Sequence, residues 1–177
     1  MEQKEALMFV FGTADDVFTM AVRIEENGKT FYTGVAESND DPQLKKLFED
    51  LAAMEEGHIA QFKALRSRLA GSFPADAVWD PEGLAEAYLQ STADTHVFTL
   101  KAARERLKQV KSAQQALDLA LQFEKDSVAF FVGMKEILPD PSGKTDIDKL
   151  IHAEMDHIRM ISAAKKDLSS TGVATIS

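Results

Sequence analysis

Glu55-Glu56-Gly57-His58 and Glu154-Met155-Asp156-His157 each set a carboxylate and an imidazole three residues apart. On a helix that spacing puts both side chains on one face at adjacent turns. A glutamate lies thirty residues ahead of each pair, Glu25 before Glu55 and Glu124 before Glu154. The chain therefore carries the pattern Glu, then Glu-x-x-His, twice, at an offset of 99 residues. One such motif occurs by chance in many chains of this length, but two with matching upstream glutamates point to six side chains meeting at one place. Four carboxylates directed into an apolar core repel one another and rise in pKa if left empty. Two divalent cations balance their four negative charges; the bland alternative is a protonated, hydrogen-bonded cluster left by a degenerate site. Mixed oxygen and imidazole donors favour iron or manganese, while the carboxylate count disfavours zinc except as an opportunistic occupant.

To converge, the six residues must sit on the buried stripes of four helices. In the first, Phe18, Ala21, Glu25, Gly28, Tyr32 and Val35 follow spacings of three and four, with Thr13 as N-cap, Asp16 at N3 and an end near Glu37. Glu25 thus falls on an otherwise apolar stripe, where it either meets a partner or snorkels out as the helix rotates. The second helix opens with Asp41 as N-cap and Pro42 at its first position, runs to about Ala70 and stops at Gly71. Its stripe is Leu44, Leu47 or Phe48, Leu51, Glu55, His58 or Ile59, Phe62, Leu65 and Leu69. Gly57 costs roughly 1 kcal/mol in a helix interior, which suggests that something approaches it closely.

Ser112 and Gln115 make a capping box for the third helix, whose buried side reads Leu117, Leu121, Glu124, Val128, Phe131 and Leu138 and which ends at Pro139-Asp140-Pro141-Ser142-Gly143. The fourth, capped by Thr145, carries Ile147, Leu150 or Ile151, Glu154, His157 or Ile158, Ile161 and Leu168. His152 is two residues off the stripe and is expected in solvent. The offset of 99 recurs in Leu51 and Leu150, Ile59 and Ile158, Phe62 and Ile161, and Tyr32 and Phe131. Two similar helix pairs joined by one long connection predict an all-α, four-helix bundle with a long crossover between helices 2 and 3 and a pseudo-twofold axis. Under that axis Glu25 faces Glu124 and Glu55 faces Glu154.

Residues 72–111 form the crossover, with short helices around 84–89 and 97–107, Trp79 as a packing anchor and His96 as a surface or capping residue. Residues 1–12 are open to three readings: an extension of the first helix, a strand or an interface tail. The whole chain, 1–177, is expected to form one domain, with the bundle core at about 13–168 and a tail at 169–177 that has no periodic pattern.

At 177 residues and 45% hydrophobic, the chain can bury a sizeable core. The lack of cysteine excludes disulfides, thiolate metal sites, iron–sulfur clusters and a cysteine nucleophile. A net charge of −9 spread along the chain argues against non-specific binding to nucleic acid or to an anionic membrane. There is no secretory pattern at the start and no apolar run long enough to span a bilayer, so the expected location is the cytoplasm.

Glu25, Glu55-x-x-His58, Glu124 and Glu154-x-x-His157, with the long crossover, resemble the ferritin-like di-iron proteins over about residues 13–168. Ile24-Glu25-Glu26-Asn27-Gly28-Lys29-Thr30-Phe31-Tyr32 and Phe123-Glu124-Lys125-Asp126-Ser127-Val128-Ala129-Phe130-Phe131 resemble the rubrerythrin branch more closely. The resemblance implies two iron ions bridged by Glu55 and Glu154, with Glu25 and His58 completing one and Glu124 and His157 the other. It implies an oxidoreductase in which two ferrous ions each give one electron to peroxide or oxygen. Rubrerythrins typically add a carboxylate one turn from the helix 3 ligand, where Leu121 and Ser127 stand here, and a cysteine-ligated rubredoxin iron, for which this chain has no cysteine. Those departures point to a simpler ferroxidase-type centre fed by an external electron donor. Two other classes of function are compatible with the same residues, non-catalytic iron binding or delivery and a helical interaction module with a structural metal pair. Tyr32 either hydrogen-bonds a ligand or passes an electron, or is an amphipathic core residue with its hydroxyl satisfied. A homodimer is expected from the apolar run Ala6-Leu7-Met8-Phe9-Val10-Phe11 and the crossover aromatics Phe73, Trp79, Tyr88 and Phe98, unless that run folds over the end of its own bundle.

Overall fold

Two helices of this protein begin in the same way. Asp41 accepts hydrogen bonds from the backbone N–H groups of Gln43 (2.8 Å) and Leu44 (3.1 Å), with Pro42 at the first helical position. Ninety-nine residues on, Asp140 accepts from Gly143 N–H (2.7 Å), ahead of Pro141. A carboxylate at this point satisfies donors that the first turn leaves free, and proline lacks the N–H that would have had no partner there. The computed structural model describes residues 14–70, 87–88, 100–138 and 140–171. Its helices are α1 (Ala14–Glu37), α2 (Pro42–Leu69), α3 (Leu100–Gln109), α4 (Ala113–Ile137) and α5 (Pro141–Thr171), and there is no strand among the described residues.

Several boundaries differ from expectation, each for a local reason. Thr145 is not a cap: it lies inside α5 and donates its hydroxyl to Pro141 O at 3.0 Å. The α5 helix also runs past the expected end of the bundle at 168, because Ser169 and Ser170 turn their hydroxyls back onto the carbonyls of Lys165 and Asp167 rather than breaking the turn. Ser112 caps α4 by accepting from Gln115 N–H at 3.1 Å. The reciprocal bond reaches one residue further back, from Lys111 N–H to Gln115 Oε1 at 2.8 Å. Gly57 is exposed, and a Cβ built on it would meet nothing within 4 Å, so no close approach among the described residues explains it. Thr13, Gly71, Phe73, Trp79, His96, Phe98, Pro139 and the runs 1–12 and 172–177 lie outside the described residues. Tyr88 is half exposed and donates to Ala129 O at 2.8 Å, which ties the crossover to α4.

Along α2 the buried residues are Leu44, Phe48, Leu51, Glu55, His58, Ile59, Phe62, Leu65 and Leu69, the expected stripe with Phe48 in place of Leu47. On α4 the buried face is offset from expectation: Leu121 and Val128 are only half-buried, while Ala116, Ala120, Phe130 and Met134 are buried. The α1 helix packs along α2 and α4 along α5, with further contact of α1 with α3 and α4 and of α2 with α5. These contacts divide the interior into two apolar clusters. One contains Phe18, Phe62, Phe131 and Ile147, and the other Tyr32, Phe48, Leu117 and Ile161. Each bundle helix passes from one cluster to the other through a glutamate. The order in which they do so makes α2 and α4 run in the same sense, opposite to α1 and α5. A tight turn cannot join two helices pointing the same way, so the chain between them must return along the bundle. The α3 helix is the last described part of that return. It sets Leu107 against bare backbone, since a Cβ on Gly34 would lie 2.3 Å from Leu107 Cδ2.

None of the described helices is long and apolar enough to cross a membrane. On the outside, Arg66 grips Asp15 through two hydrogen bonds of 2.6 and 2.5 Å, which link α2 to α1. Exposed pairs of this kind contribute about 0–1 kcal/mol, so the bundle depends on its interior. Because Gly57 is helical, exposed and uncrowded, Gly57→Ala should stabilise the protein by about 1 kcal/mol, read as a higher denaturant midpoint at constant slope. A destabilised Gly57→Ala protein would mean that the glycine is required by a contact the described residues do not contain.

Candidate metal centre

Between the two apolar clusters lies one polar layer, made of Glu25 from α1, Glu55 and His58 from α2, Glu124 from α4, and Glu154 and His157 from α5. All six are buried. The three-residue spacing within α2 and α5 turns each imidazole toward the carboxylate of its own helix, as side chains one turn apart require. His58 Nδ1 lies 3.2 Å from Glu25 Oε2, 2.8 Å from Glu154 Oε1 and 3.5 Å from Glu55 Oε2. His157 Nδ1 lies 3.1 Å from Glu154 Oε2, 3.3 Å from Glu124 Oε1 and 3.6 Å from Glu55 Oε1. The two rings stack, 5.2 Å between centroids and 16° between planes. Donor atoms of Glu55, His58, Glu154 and His157 all lie within 4.8 Å of one another. Glu25 and Glu124 flank this central group beside His58 and His157.

The charges explain why such a layer needs compensation. Burial raises the pKa of Glu25, and the charge of Glu154 raises it further. Burial likewise raises Glu55, with Glu25 and Glu154 adding to it. Glu124 is pushed up to about 8 by burial and by the charge of Glu154. Burial alone would raise Glu154 as well, but the imidazoles of His157 and His58 beside it overcome that effect and hold the carboxyl well below the usual range. Burial would lower the histidines, yet the carboxylates around them win, taking His58 to about 9 and His157 to about 11. Without a cation, protons are held on both imidazoles and among the glutamates. Among the described residues no hydrogen bond from another side chain or from the backbone reaches Glu25 Oε1, and Glu154 Oε1, although close to His58, has none of acceptable geometry. Buried carboxylate oxygens without donors are costly. The set of four carboxylates and two imidazoles fits a pair of divalent cations by charge and by donor type, and the unpartnered oxygens are acceptors that such cations would satisfy.

Tyr32 is part of this layer. Its hydroxyl donates to Glu124 Oε1, and burial followed by the charge of Glu124 raises the tyrosine's own pKa. It is therefore both the core residue and the hydrogen-bond donor that its position allowed. Gly28, named on the stripe of the first helix, has a role that the sequence did not show: a Cβ on it would lie 3.4 Å from the Glu55 carboxyl carbon. The available signal was its place on the buried stripe one turn after Glu25, which Gly57 does not share. Ser127, one turn after Glu124, does not replace a further carboxylate, because its hydroxyl donates to Phe123 O at 3.0 Å. His152 is exposed, as expected, with Nδ1 at 2.6 Å from Asp148 O.

The rubrerythrin family model matches residues 16–165, a span that includes all six residues of the layer. A solved structure from Thermotoga maritima, described as a ferritin-like diiron-carboxylate protein, superposes with a TM-score of 0.61. It is 23% identical, and the match covers 86% of this chain and 94% of that one. At that identity the likeness speaks to the fold, an all-α ferritin-like bundle. None of the curated proteins matches the chain.

Three glutamates and two histidines have folded pKa values above their ordinary ones, so each contributes stability that is complete below its unfolded value and is lost as pH rises through the folded one. Glu154 is the exception, contributing stability that is lost as pH falls through its lowered value. Metal-free protein should therefore melt at progressively lower temperature as pH rises from about 5 to about 9. A variant with Glu25, Glu55, Glu124 and Glu154 all changed to Gln should show a flatter profile. Superimposable profiles would mean that these carboxyls do not share a buried site.

Proposed function

The chain belongs to the rubrerythrin family, and from that membership we propose that its Glu/His layer holds two iron ions and serves an oxidoreductase that oxidises ferrous iron with peroxide or oxygen. The observation that carries this reading is the buried layer itself: four glutamates and two histidines from four helices, with two carboxylate oxygens lacking donors. Glu55 and Glu154 are central, each close to both imidazoles, which suits residues that serve both ions. Glu25 with His58 would serve one ion and Glu124 with His157 the other. A bound ferrous pair supplies two electrons, enough with two protons to convert one hydrogen peroxide to two waters. The chain's own contribution is to orient the donors, to release the protons held by the layer when cations enter, and to keep bulk water out with the apolar clusters above and below.

No cysteine is present to carry electrons within the chain, so reducing equivalents come from a separate donor. The same absence favours a second reading, in which the layer binds and delivers iron without turnover. Manganese suits these donors as well, and zinc is an opportunistic competitor.

Protein made in iron-replete cells should contain about two metal ions per chain. Glu55→Ala and Glu154→Ala should each lose more than one of them, because each side chain serves both, whereas His58→Ala or His157→Ala should lose mainly one. Retention of both ions by the Glu55→Ala/Glu154→Ala double variant would end the assignment. In stopped flow, prereduced iron-loaded protein should react quickly with peroxide or oxygen and turn over repeatedly only when a reductant is added. Reaction with neither oxidant would leave iron delivery or a structural metal pair as the better account.

A further inference from the structure

The two halves of the layer are not copies of each other. The repeat puts Tyr32 of α1 and Phe131 of α4 at equivalent positions, and both are fully buried. Tyr32 donates its hydroxyl to Oε1 of Glu124. The mirror image of that bond would run from residue 131 to Glu25. Phe131 has no hydroxyl to give, and its ring packs instead on Phe62 with 4.8 Å between centroids. Glu25 Oε1 accordingly lacks a donor, whereas Oε1 of Glu124 has Tyr32 and Oε2 lies 3.3 Å from His157 Nδ1.

We infer that this one hydroxyl makes the two metal positions unequal, so that the position served by Glu25 and His58 takes the first divalent ion and the one served by Glu124 and His157 takes the second. The inference rests on the metal-binding reading above. An oxygen that already accepts from a buried phenol has part of its charge compensated before a cation arrives, so a cation gains less there. At Glu25 no phenol does this: among the described residues Oε1 has no donor outside the carboxyls of the layer itself, so a cation relieves there a penalty that Tyr32 has already relieved on the other side. Tyr32 is thus a positioning residue: it acts through Glu124 and sets the order of loading.

The test is anaerobic titration of metal-free protein with Co2+, followed by visible absorption and calorimetry, together with anomalous scattering from crystals holding one equivalent of cobalt. Wild-type protein should load in two steps separated about tenfold in affinity, with the first ion beside Glu25 and His58. Tyr32→Phe removes the hydroxyl and should merge the steps by strengthening the second. Phe131→Tyr supplies the missing hydroxyl and should merge them by weakening the first. A tyrosine that merely filled space would give neither pattern, and Tyr32→Phe keeps the ring in case the larger side chain at 131 impairs folding. Simultaneous filling in wild-type protein, first occupancy beside Glu124, or unchanged steps in Tyr32→Phe would each overturn the inference while leaving metal binding intact. If Co2+ does not bind at all, the metal-binding reading falls with it.

Discussion

Four carboxyl groups held inside an apolar bundle are the constraint that the rest of this protein accommodates. They cannot all ionise there unaided, and they cannot reach water, because Glu25, Glu124 and Glu154 have almost no exposed surface. Every neighbouring feature acts on that imbalance. Two imbalances of the opposite sign, the imidazoles of His58 and His157, are drawn in and kept protonated against the effect of burial. One phenol is turned inward to Glu124. The apolar clusters on either side keep the layer from shedding charge to solvent, so compensation has to come from protons or from cations.

Much of this was legible in the sequence because it is periodic. A helix repeats every 3.6 residues, so Glu55 and His58 could be placed on one face without knowledge of any other helix. The offset of 99 then indicated that four such faces meet. The same offset carried Asp41-Pro42 onto Asp140-Pro141 and so held the true start of α5, although Thr145 looked like an adequate cap by composition. The helix end after Leu168 was missed because serine and threonine are counted against helix while their hydroxyls can bond back to its carbonyls.

What periodicity could not give were relations between helices. The hydrogen bond from Tyr32 to Glu124 joins residues 92 apart and depends on which way a phenol turns in the core. The two glycines make the same point: Gly57 stands within the motif and faces outward, while Gly28 stands on another helix and faces Glu55. Which oxygen lacks a donor is likewise a property of the packed interior, invisible until both halves are in place.

The arrangement of the helices also bears on the order in which the chain can assemble. Contacts between α1 and α2, and between α4 and α5, close over short stretches of chain, so each hairpin can form quickly and locally. Each hairpin carries three of the six donors, and neither holds the layer alone. Joining them brings together residues about a hundred positions apart, the slowest kind of closure available to this chain. A chain that closed its local contacts first would complete the acidic centre last, when the two hairpins dock. In that order its glutamates would lie on open hairpin faces, wet and ionised, and would meet the interior only in the step that closes it.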